Sequence, residues 1–166
     1  MTDAGWHLAQ LNVGRLVAPE GDPRVADFFA DLDRINALAD AAAGFVWRLV
    51  DDDGQDATAL RPFDKDTLVN LSVWQCVESL YAFTYRSAHL ELLRRRREWF
   101  RPLGDAYAVL WWIPAGTLPS LEVAGARLGR LRTHGPTAKA FTFRALFPAP
   151  DAAPDAAPAS AIATGH

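Results

Sequence analysis

His89, Asn70 and Arg48 are the side chains through which this sequence could do chemistry. An imidazole titrates near neutral pH, so His89 could move a proton, and it could also ligate iron. The Asn70 amide and the Arg48 guanidinium could both donate to a developing oxyanion. None of the three sits in a recognisable catalytic motif. The chain has no phosphate-binding glycine loop, zinc helix or nucleophile elbow. Gly125 and Gly129 fall within a helical pattern, in the wrong context for a dinucleotide. Asp51-Asp52-Asp53-Gly54 reads as a hairpin tip rather than a metal loop. No metal site and no cofactor are expected.

A second set could hold a ligand: Asn12, Ser72, Trp74, Tyr85 and Trp112. In residues 68–74, Val69, Leu71 and Val73 alternate with Asn70, Ser72 and Trp74, so the polar positions share one strand face. Asn12 occupies the equivalent stripe of residues 7–17, where Leu11 and Val13 alternate with Gln10, Asn12 and Gly14. Arg48 could join from residues 45–50, with Trp47 facing the other way. If the apolar faces meet the helices, these polar groups point to the opposite side of the sheet. Trp111 and Trp112 are adjacent and must face opposite ways. Tyr85 and His89 share a face if their helix is continuous. Arg48, Asn70, Trp74 and His89 are expected to meet in one cavity between sheet and helices.

The elements that must carry these residues follow from periodicity and punctuation. Residues 7–17 read as a strand. Asp22-Pro23 opens a helix with Val25, Phe28, Phe29, Leu32, Ile35 and Leu38 at helical spacing, closed by Gly44. Residues 45–50 and 68–74 are strands. Residues 77–85 are helical, and Ser87 either caps a second stretch through Trp99 or interrupts one longer helix. Residues 107–113 are a strand, Pro119-Ser120 opens a helix that His134-Gly135-Pro136 stops, and residues 140–147 read as a last strand. The first six elements match the split β-α-β order of a ferredoxin-like α+β fold, an antiparallel sheet with helices on one face. One domain over residues 1–147 is expected. The Ala/Pro-rich residues 148–166 read as a disordered tail.

Composition narrows the partners. A net charge of −3 gives no general reason to expect nucleic acid. The run Arg94-Arg95-Arg96-Arg97 spreads over several helix faces and reads as a solvated surface paired to Glu91 or Glu98. His134, at a helix end, reads as a terminal cap. The single cysteine, Cys76, excludes a disulfide framework and a Cys-rich zinc site. No stretch approaches the roughly 20 apolar residues of a membrane span, and Met1 to Gln10 does not read as a signal peptide, so no membrane partner and a cytoplasmic location are expected.

Several segments together resemble a known family: Leu11-Asn12-Val13-Gly14-Arg15, Gly44-Phe45-Val46-Trp47-Arg48-Leu49, Asn70-Leu71-Ser72-Val73-Trp74, Tyr85-Arg86-Ser87-Ala88-His89, Arg96-Arg97-Glu98-Trp99-Phe100 and Leu110-Trp111-Trp112-Ile113-Pro114-Ala115-Gly116. They are similar to the domain of unknown function 3291 family, across about residues 6–147. The resemblance implies a dimeric α+β barrel, in a superfamily with cofactor-free monooxygenases, haem enzymes and isomerases. Thr117 departs from the His expected after Pro-Ala-Gly. A homodimer through the sheet faces is implied, binding a small apolar or aromatic molecule. The functional expectation is a cofactor-free, monooxygenase-like enzyme. The alternatives are a non-catalytic hydrophobic-ligand-binding or stress-associated dimer, and a haem-binding protein using His89.

Overall fold

The computed structural model describes residues 5–51 and 56–150. Its organising strand is β1 (Trp6–Leu16), which pairs antiparallel with β3 (Thr67–Trp74) on one side. On its other side lie β5 (Ala108–Pro114) and the two-residue β4 (Phe100–Arg101). Strand β2 (Phe45–Arg48) lies outside β3, giving the lateral order β2-β3-β1-β5. The architecture is α+β, an antiparallel ferredoxin-like sheet.

Asp22 accepts from the Arg24 backbone N–H and opens a 3-10 turn, Pro23–Val25, that runs into α1 (Ala26–Asp40). After β3 come α2 (Val77–Arg86), α3 (His89–Arg94) and α4 (Arg96–Trp99). The chain breaks at Ser87, whose Oγ donates to the Phe83 carbonyl at 2.5 Å and accepts from the His89 N–H at 3.1 Å. Ser87 therefore both ends one helix and starts the next. Ser120 caps α5 (Leu121–His134), and Gly135 closes it at a positive φ of 72°. No helix among the described residues is long and apolar enough to cross a membrane.

The two sheet faces differ in kind. One is uniformly apolar: Ala9, Leu11 and Val13, then Val69, Leu71 and Val73, then Val109, Trp111 and Ile113. Its cover is α5, through Ala124, Leu128 and Leu131. The other face carries Gln10, Asn12, Asn70 and Ser72, and α1 to α4 lie over it. Helices therefore lie on both faces rather than on one as expected: the polar stripe faces away from α5 but lies beneath α1 to α4, with the expected cavity between sheet and helices on that side. The physical reason is α5, whose apolar stripe occupies the only face able to pack dry.

Two further differences concern the C-terminal segment. Residues 140–147 form no strand; Leu110 and Phe141 exchange a pair of backbone hydrogen bonds of 2.8 and 2.9 Å, and the chain then turns at Thr142–Ala145. The aromatic Phe141, Phe143 and Phe147 produced a strand-like pattern by capping the edge of β5 instead. Packing also continues past residue 147, since Ala149 is buried with Leu146 against Trp112. The remainder of the expected tail, 151–166, and residues 52–54 of the expected hairpin tip lie outside the described residues.

Candidate functional site

A polar face cannot be packed dry without leaving buried groups unsatisfied. Here the helices stand away from it and leave an open cavity of about 610 Å³. That volume lies in the range of small-molecule sites, roughly 300–1,000 Å³. Asn70 is the single exposed residue of β3, although the strand pairs with β1 along its length and lies beneath helices. Only a solvent-connected cavity above it gives that combination.

The cavity floor is a hydrogen-bonded ladder. Gln10 Nε2 donates to Asn70 Oδ1 at 2.6 Å and to Ser72 Oγ at 2.8 Å. Asn12 Nδ2 donates to Gln10 Oε1 at 3.1 Å and to Asn70 Oδ1 at 3.3 Å. Trp74 Nε1 donates to the same Ser72 Oγ at 2.9 Å. The antiparallel register sets these contacts, because it places Asn12 opposite Asn70 and Gln10 opposite Ser72. Asn70 Oδ1 and Ser72 Oγ both accept within the ladder, which leaves the Asn70 amide N–H groups and the Ser72 hydroxyl proton unspent there.

The walls are aromatic and aliphatic. Trp74 is 1% exposed, meets Phe45 edge-on at 5.4 Å and stacks with Phe83 at 5.3 Å. Phe83 in turn lies 5.0 Å from the His89 ring. From α1, Phe28, Leu32, Ile35 and Ala39 present one helical stripe to the cavity.

His89 lines the cavity with its Nδ1 3.1 Å from the Thr84 carbonyl. A carbonyl only accepts, so Nδ1 carries the proton and Nε2 is left as a base. Burial pushes the His89 pKa down, outweighing the Thr84 carbonyl, which favours the protonated ring. The residue is thus a neutral imidazole at neutral pH.

Arg48 reaches the cavity, and its guanidinium is held by Asp40 at 2.8 and 3.2 Å, so its charge is already answered. Tyr85 lines the cavity too, its phenol pushed up mainly by burial. The helix break at Ser87 removes the continuous helix that would have stacked Tyr85 and His89 on one face. The structure brings Arg48, Asn70, Trp74 and His89 around one cavity, together with Asn12, Ser72 and Tyr85. Trp112 is not among them. It has the right strand parity, but it lies nearer the end of β5, covered by Phe141 and Leu146, and its Nε1 donates to the Phe147 carbonyl at 2.8 Å. Trp111 packs under α5 instead. Neither tryptophan faces the cavity. Thr117 is exposed and its hydroxyl donates to the Pro114 carbonyl at 2.6 Å, closing a turn.

Two contributors were not singled out in the sequence. Gln10 shares the strand parity of Asn12, which was the available signal. Arg96 was hidden in the arginine run, of which Arg94 pairs with Glu91 and Arg95 with Asp27 and Glu98. Gln10 joins three partners, so Gln10→Leu is expected to lower stability by about 1–3 kcal/mol through unsatisfied polar groups. Urea unfolding measures this; an unchanged midpoint would mean that water replaces the amide at no cost.

Solved structures of related shape are small proteins of varied description. SnoaB from Streptomyces nogalater, a cofactor-independent oxygenase, is 16% identical with a TM-score of 0.44, over 69% of this chain and 98% of that one. The NE2512 protein of unknown function from Nitrosomonas europaea is 15% identical with a TM-score of 0.44, over 70% and 97%. A dabb family protein with a ferredoxin-like fold from Mesorhizobium loti is 12% identical with a TM-score of 0.41, over 69% and 99%. No curated protein matches the chain. The family model of the domain of unknown function 3291 matches residues 7–157, and the chain belongs to that family.

Proposed function

We propose that the chain binds a flat, largely apolar aromatic molecule in this cavity and oxygenates it without metal or flavin, as a monooxygenase-like enzyme. The observation that carries this reading is the presence, around one cavity, of unspent amide donors at Asn70 and a neutral imidazole at His89. An anthrone-type substrate would lose a proton from its CH₂ group to His89 Nε2. The resulting oxyanion accepts from the Asn70 amide and the Ser72 hydroxyl. Such an anion is electron-rich enough to pass one electron directly to dioxygen. Recombination forms a carbon-bound peroxide anion, which takes the proton back from His89 to give the hydroperoxide. Its loss of water converts the CH₂ group to C=O, so one oxygen atom enters the product and the other leaves as water. Phe45, Trp74 and Phe83 supply an apolar wall against which a flat ring stacks.

The test is oxygen uptake by the purified protein with anthrone under ¹⁸O₂. The expected result is saturable uptake, equimolar with anthrone loss, with one labelled atom in the new carbonyl. A second reading, a non-catalytic holder of hydrophobic molecules, has its own support. The carboxylates lining the cavity among the described residues are Asp56 and Asp105, and both are engaged elsewhere, with Thr58 and Arg132. They offer His89 no acid–base partner. Anthrone binding without oxygen uptake favours that reading. A haem absorption band that is lost in His89→Ala would instead make His89 an iron ligand.

A further inference from the structure

The cavity's charge runs against that of the whole chain, which is net negative at −3. Its cationic groups are Arg48, Arg96 and Arg144, and Arg48 is neutralised by Asp40. Arg96 is different. Its guanidinium carbon sits 4.0 Å from the centre of the Tyr107 ring and 5.0 Å from that of Phe100. One nitrogen donates to the Val13 carbonyl at 3.2 Å. No carboxylate among the described residues pairs with it, although its sequence neighbour Arg95 has two. A half-buried guanidinium has most of its five N–H donors to satisfy and a full charge to balance. Aromatic faces hold such a cation in place without neutralising it.

The surroundings extend this positive end. Tyr107, beneath Arg96, and Arg144 both act electrostatically on Tyr85, so the Arg96, Tyr107, Tyr85 and Arg144 side chains form one neighbourhood of the cavity. Burial keeps the Tyr85 phenol protonated and able to donate. Backbone geometry supports the arrangement. Gly14 leaves room for Phe100, whose ring would lie 2.6 Å from a Cβ at that position. A larger residue at 14 would displace the ring that braces Arg96.

We propose that the cavity's ligand is an aromatic acid, whose carboxylate seats on Arg96 beside Tyr107 while its ring system lies over the Asn70–Ser72 floor. This rests on the reading of the cavity as a site for a flat aromatic molecule and adds the sign and place of the charge. A planar guanidinium suits a carboxylate because it donates two parallel hydrogen bonds.

Two probes of equal shape test it: anthracene-2-carboxylate and anthracene-2-carboxamide, titrated by fluorescence. In the unaltered protein the carboxylate should bind at least about tenfold tighter. Arg96→Gln should weaken the carboxylate by about 10–100-fold and leave the carboxamide essentially unchanged. Arg96→Lys should recover part of the difference, as a point charge lacking the fork. Equal affinity of the two probes in the unaltered protein, which needs no variant to fold, overturns the anion assignment and leaves the aromatic site standing. A carboxylate preference that survives Arg96→Gln but disappears in Arg144→Gln overturns the choice of Arg96. Binding of neither probe removes the aromatic site and this proposal together.

Discussion

Asn70→Ala is expected to lower anthrone turnover by about 10²–10³-fold, the usual cost of one lost oxyanion donor, while costing only about 1 kcal/mol of stability. The asymmetry follows from the ladder. Asn70 is exposed, so its removal opens little buried volume. Gln10 keeps Ser72 and the Asn70 backbone carbonyl as acceptors, and Asn12 keeps Gln10. The amide's unspent N–H groups have no such replacement toward substrate. The loss should fall on kcat rather than on probe affinity, because an oxyanion exists only during reaction. Steady-state kinetics alongside urea unfolding decides it. Turnover that survives the substitution would remove Asn70 from the chemistry, and proportionate losses of both quantities would make it structural.

The second large effect concerns pH. If His89 acts as the base, turnover should be flat near and above neutrality. It should fall on the acid side with an apparent pKa below the ordinary imidazole value of about 6.5, because burial disfavours the charged ring. His89→Gln should lower the rate by about 10²–10⁴-fold and abolish the acid limb. Stability should follow the same group. Between the depressed folded value and about 6.5 the unfolded chain binds more protons than the folded one, so stability declines as pH falls through that window. The glutamine variant lacks that contribution, and comparing unfolding midpoints across pH isolates it. An acid limb centred at or above the ordinary value would contradict the buried, neutral state of His89.

The parts of this arrangement that were legible in the sequence were local. Strand alternation put Asn70, Ser72 and Trp74 on one face, and Asn12 with them, because a period of two needs no knowledge of the rest of the chain. The order of strands and helices sufficed for the ferredoxin-like sheet. How the helices divide between the two faces is not local. It depended on α5, more than 100 residues downstream of β1, taking the apolar face for itself. Trp112 illustrates the same limit: its parity was right, but its cover comes from a segment that pattern alone read as another strand. Arg96 failed for a different reason. Four adjacent arginines carry no periodic signal, and the break between α3 and α4 at Arg95 turns Arg96 inward while Arg94 stays at the surface.

The central position of β1 has a consequence for synthesis. It precedes every other strand among the described residues, yet its two long neighbours are β3 and β5, and the second of these is completed only at Pro114. At ordinary translation speeds of 5–20 residues per second, roughly 5–20 s separate the two strands. During that interval Leu8, Leu11 and Val13 belong to a strand with an unpaired edge, which is the condition under which nascent chains associate wrongly. The cavity floor is laid on this same strand, so it is finished only when the sheet is. A small molecule that binds there stabilises the completed chain over every earlier intermediate, by mass action alone.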